Sequence, residues 1–183
     1  MQEQDGRHRF AGWSRTPRSG RRPVSEPSQQ KTPRRGGGAF LGRAADGSEP
    51  VEDFLDREFP LQPRKKNPSA REIEAAATKR MTIDLQIDRL NGLANDDPPL
   101  PFPHTSQIDG PLRELRCHYG RPHYRILYRR SGNLFVLLHM IRKTSKAVPQ
   151  ADIEVAKQRW RDFKERMEAR PRKPPRAAGR DAP

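Results

Sequence analysis

The sequence predicts an α+β fold: a small, mostly antiparallel sheet packed against a helical hairpin and a C-terminal helix, flanked by basic disordered tails. Three observations predict it. The run LRELRCHYGRPHYRILYRRSGNLFVLLHMIRK, residues 112–143, breaks at two turn signals into three strand-length pieces. Two segments between residues 50 and 92 carry helix-start signals followed by apolar residues at helical spacing. A third amphipathic segment follows Pro149.

The boundaries follow from composition. With 183 residues, only 32% of them hydrophobic, and 19 prolines, the chain is too polar to pack throughout. A core of about 120 residues is the expectation, near the usual domain size. Residues 1–38 are rich in Pro, Gly, Arg, Ser and Gln and are expected to form a disordered basic arm. Residues 39–168 are the expected domain, and residues 169–183 a second disordered, Pro/Arg-rich tail.

Within the domain, AFLGRAADG, residues 39–47, reads as a short edge strand and turn. Pro50 then opens a short helix. Proline suits its first turn, Glu52 and Asp53 suit the positive end of its dipole, and Val51, Phe54 and Leu55 share a face. Ser69 and Glu72 form a capping-box pattern ahead of a longer helix. Ile73, Ala76, Ala77, Arg80, Met81, Asp84, Leu85, Ile87 and Leu90 follow at mostly helical spacing, and Gly92 is the stop. The proline-stiffened stretch 95–104 is an extended loop into the sheet. Strands are expected at roughly 112–118, 123–130 and 133–142, with turns at Gly120–Pro122 and Ser131–Asn133. The last helix runs from Pro149 to about Met167, with Ile153, Ala156, Trp160, Phe163 and Met167 on one side.

Charge narrows the partners. A formal net charge of +14 supports nucleic acid or an anionic surface, although part of that excess lies in the tails. No apolar run approaches a membrane span, and the N-terminus lacks a secretory h-region, so a cytoplasmic protein is the expectation. A lone cysteine, Cys117, gives neither an intrachain disulfide nor a metal cluster, and no cofactor is implied.

Strand period two then selects candidate site residues. Leu115, Cys117, Tyr124, Ile126 and Tyr128 read as the greasy face. Arg116, Arg125, His139 and Lys143 read as the opposite, basic face. Such a set has the parts for cleaving RNA through its own 2′-OH: cations to hold the scissile phosphate, and an imidazole to move a proton. Arginine clamps phosphate in bidentate fashion, and histidine exchanges protons near neutral pH. The plainer alternatives are a solvated strand face for the arginines and Lys143, a half-buried structural role for His139, and a core role for Tyr128.

The pieces PVEDFLD, PLPFPH, LRELRCHYG, YRILYRRSGNLFVLLHMIRKTSK and VPQADIEVAKQRW, in that order, resemble the RelE/HigB-type toxin family, specifically its phage-derived branch. The resemblance implies a ribosome-dependent mRNA endonuclease of a type II toxin–antitoxin system. Its partners would be mRNA on the ribosome and a cognate antitoxin, and it would use no metal. It places phosphate-binding and catalytic roles on Arg116, Arg125 and Lys143, with His139, Arg142 and Lys146 in the same motif. Tyr128 is the aromatic that would hold an unstacked base. The arm, the C-terminal tail and the weak first strand depart from the family pattern. Rival readings are a non-catalytic basic nucleic-acid-binding protein of phage origin, an inactive relic of a toxin, and a scaffold role driven by the arm.

Overall fold

The computed structural model describes residues 38–93, 96–169 and 176–180. Almost all of the expected arm and part of the expected tail lie outside these residues. In chain order the elements are β1 (Gly38–Leu41), α1 (Pro50–Glu58), α2 (Ala70–Asn91), β2 (Thr105–Asp109), β3 (Leu112–His118), β4 (His123–Ser131), β5 (Leu134–Arg142), α3 (Gln150–Glu168) and β6 (Arg176–Ala177).

Local chemistry accounts for the helix ends. Pro50 occupies the first turn of α1. Ser69 caps α2 through a complete capping box with Glu72, and Gly92 follows its last turn. Both signals were legible in the sequence.

Among the described residues the strands form one sheet in the order β2-β3-β4-β5-β1-β6. The β2–β3–β4–β5 meander is antiparallel, β1 joins β5 in parallel, and β6 joins β1 antiparallel. The sheet is therefore mixed but mostly antiparallel, as expected, with two differences. β1 is an interior strand rather than an edge, because Arg176–Ala177 return from the expected tail to cover it. β2 was not foreseen, since TSQID lies at the sheet's other edge and carries a single apolar residue. Its neighbour β3 nonetheless fixes it by regular pairing of Thr105 with Leu115 and Ser106 with Glu114.

Helices cover both faces. On one side α1 and α2 bury Val51, Leu55, Phe59, Ile83, Ile87 and Leu90 against Leu115, Cys117, Tyr124, Ile126, Tyr128, Leu137 and Met140. On the other, α3 buries Ile153, Ala156, Trp160 and Phe163 against Leu112, Leu127, Val136 and Leu138. The expectation of one greasy and one basic face is thus corrected. Both faces are apolar where a helix lies on them, and of the expected basic set Arg116, Arg125 and Lys143 collect in a cleft that no residue of α3 lines. The apolar stripe of α2 is also narrower than its spacing implied: Ile73, Met81 and Leu85 face outward.

Strict alternation fails on β5. Leu127 pairs with His139 while the next residue, Tyr128, pairs with Leu137, so Leu138 is an extra residue. Leu138 lies beside Val136 under α3, as alternation requires, and the bulge keeps His139 on that side as well and shifts Met140 to the α1/α2 side.

A basic cleft at the end of β3 and β4 as the candidate functional site

Arg116 and Arg125 are direct partners across the β3–β4 pair. Like charges placed opposite each other on a sheet repel. The counter-charge comes from Glu114, two residues before Arg116 and so on the same face. Its carboxylate accepts from Arg116 Nε at 2.8 Å and lies 3.2 Å from Arg125 Nε. Ser106 on β2 donates its hydroxyl to the same carboxylate at 2.7 Å and accepts from Arg116 Nη2 at 3.2 Å. The Glu114 side chain is only 2% exposed and that of Arg125 7%, whereas Arg116 is 36% exposed. Arg125 Nη2 donates to the carbonyl of Lys146 at 2.7 Å, tying the loop after β5 to β4.

Around this pair opens a cleft of about 530 Å³. Its lining includes Arg89, Arg116, Arg125, Lys143 and Lys146, together with His104, His118 and His123, and no Asp or Glu. Helix α2 contributes to its walls twice. Buried Gln86 grips both backbone groups of His118, accepting its N–H and donating to its carbonyl at 2.9 Å each. Arg89 Nη1 lies 2.7 Å from His104 Nδ1. A guanidinium only donates, so Nδ1 is the acceptor and the imidazole's other nitrogen, Nε2, carries a proton. Lys143 is placed by its own N–H, which donates to the carbonyl of His123 at 2.8 Å.

Of the residues expected from the sequence, the structure brings Arg116, Arg125, Lys143 and Lys146 into this cleft. It does not bring His139, Arg142 or Tyr128. The bulge turns His139 toward α3, where Nε2 lies 2.8 Å from Asp152 Oδ1 and Nδ1 lies 2.7 Å from Arg159 Nη1. Both ring nitrogens are thereby used, and burial holds its pKa below the ordinary 6.5. Arg142 lies on another hollow, shared with Phe54 and Arg57 of α1. Tyr128 is 1% exposed within the α1/α2-side core, so its ring offers no face to a ligand.

Sequence reading missed other residues here. His104, His118 and His123 flank turns and loops, where no periodicity marks them, and tertiary structure gathers them. Glu114 was within reach, since its parity sets it beside Arg116. Cys117 borders the cleft but is buried, and desolvation pushes its thiol pKa up to about 12, which removes it as a nucleophile.

Among the described residues no group of three or more His, Cys, Asp or Glu is placed to hold a metal ion, and no helix is long and apolar enough to cross a membrane. No curated protein matches the chain. Residues 71–161, from the first turn of α2 into α3 and including every residue of the cleft, match the model of a family described as phage derived protein Gp49-like (DUF891).

Proposed function

We propose that this protein binds RNA through the basic cleft, with Arg116, Lys143 and Lys146 as phosphate contacts and Arg125 as the buried strut beneath them. The observation that carries the reading is the cleft's composition: five Arg/Lys side chains and three histidines converge from β3, β4, α2 and two loops, with no acidic residue in the lining. A concave surface of one sign focuses its field on an anionic ligand. The similarity of this stretch to a phage-derived family is consistent with that role.

The test is the affinity for a labelled single-stranded RNA measured by fluorescence anisotropy across a salt series. Affinity should fall with salt, and Lys143→Ala should flatten the slope of log K against log salt by about 0.7. Lys143 suits this test because Arg125→Ala also strips a buried carboxylate of its partner. Binding that ignores both salt and this substitution would overturn the reading.

A second reading is favoured by the three imidazoles beside the phosphate contacts. They supply proton-transfer groups for attack by the RNA 2′-OH and for protonation of the leaving 5′-oxygen. On this reading the protein is a ribosome-dependent mRNA endonuclease toxin restrained by an antitoxin, as the sequence resemblance implies, with the proton-transfer role moved from His139 to His104, His118 or His123. Cleavage of mRNA on translating ribosomes, lost in Lys143→Ala, would support it. Tight RNA binding without cuts would leave the binding reading alone.

A further inference from the structure

We propose that Phe102 and Arg116 form a stacking platform for one unpaired base of a single-stranded RNA, an inference that rests on the cleft binding RNA. Phe102 is the most exposed of the large apolar side chains described, at 74%. Isolated surface hydrophobics are ordinary, but this one is built into the site. The Arg116 guanidinium lies 4.9 Å from its ring centroid, and the next two residues, Pro103 and His104, line the cleft.

The loop that carries the ring is tied down. The N–H groups of His104 and Thr105 donate to the Pro101 carbonyl at 3.0 and 3.3 Å, and the Thr105 hydroxyl donates to the Leu100 carbonyl. The N–H of Arg116 donates to the His104 carbonyl at 2.8 Å, joining the loop to β3. Prolines on both sides of Phe102 restrict the backbone further. An aromatic ring held in water beside a phosphate site is preorganised for a base. Arg116 covers one part of the ring, and the remainder is open. Because Arg116 also lines the cleft, a base on Phe102 and its own phosphate on the arginine fall within one nucleotide's reach. A duplex keeps its bases stacked and offers no such partner, so the substrate class is single-stranded.

The experiment compares wild type, Phe102→Ala and Phe102→Trp, each as the full chain, against a single-stranded RNA and a duplex of the same length. Phe102→Ala should weaken single-strand binding about 5- to 150-fold. Its salt slope and its duplex affinity should be unchanged, because the phosphate contacts remain. Phe102→Trp should hold affinity and show tryptophan emission, measured against wild type, that is quenched by the single strand and not by the duplex. An unchanged melting temperature for Phe102→Ala separates a lost contact from a damaged fold. Equal, salt-sensitive binding by wild type and Phe102→Ala would overturn the platform and leave the cleft standing. RNA binding absent from wild type would overturn both.

Discussion

Arg116 and Arg125 face each other across two neighbouring strands, and a single buried carboxylate, Glu114, lies within 3.2 Å of both guanidinium groups. The relationship explains how a sheet tolerates two opposed arginines. It also explains why one of them is nearly buried while the other still reaches the surface. The carboxylate offsets one of the two positive charges from beneath, and Arg116, Lys143 and Lys146 still present charge outward.

Glu114→Gln should therefore destabilise the fold. The amide keeps the shape but removes the counter-charge of two arginines, one of them buried. Breaking a buried pair by removing one partner costs about 3 kcal/mol. Urea unfolding should show a lower midpoint with an unchanged m-value. A midpoint equal to wild type would mean that water, rather than Glu114, compensates Arg125.

Stability should fall on mild acidification, through His139. The unfolded imidazole has a pKa near 6.5, and burial holds the folded one lower. Above pH 6.5 neither state carries the proton, so the contribution is constant. Below it the unfolded chain takes up a proton that the folded one refuses, and stability drops until the folded pKa is reached. Urea midpoints compared between pH 7.5 and 5.5 should decline, and His139→Gln should show a shallower decline. Equal slopes for the two proteins would contradict this placement of His139.

Gly42→Ala should weaken the junction of β1 with β5. A Cβ on Gly42 would stand 2.5 Å from the Leu137 carbonyl oxygen, the same oxygen that accepts the Gly42 N–H at 2.7 Å. The chain must shift to admit the methyl group, at a cost of about 1–3 kcal/mol. Thermal unfolding of the variant measures it, and a melting temperature at or above that of wild type would refute the close approach.

Cys117 should resist thiol reagents in the folded protein. Its pKa is pushed up to about 12 by burial, and the thiolate is the reactive form. A chromogenic disulfide reagent should react with it only after denaturant is added. Rapid reaction under native conditions would show that the strand end opens.

How much of this was legible depends on which interactions fix each part. The strands β3 to β5 and the capping box of α2 depend on local pattern, and the sequence carried them. Arg116 and Arg125 were legible because β3 and β4 are regular and the register between them is unbroken, and Lys143, just past β5, is held to the start of β4 by its bond to the His123 carbonyl. His139 lies on the face that alternation gave it, since the extra residue at Leu138 leaves it opposite Leu127, but α3 covers that part of the face and takes both ring nitrogens. β1 reads poorly because Gly42, just past its end, answers to the backbone of the neighbouring β5, and its interior position depends on two residues about 135 positions later in the chain. Phe102, His104, His118 and His123 acquire meaning only when the loop, α2 and β3 meet.

The central claim, that RNA is held by the cleft, is tested most directly by mapping where RNA lands on the full chain. Amide and side-chain NMR shifts should be followed during titration with a short single-stranded RNA. The account predicts that perturbations cluster at residues 102–104, 116–118, 123–125 and 143–146. Perturbations confined to the basic N-terminal arm, with these four segments unmoved, would contradict it.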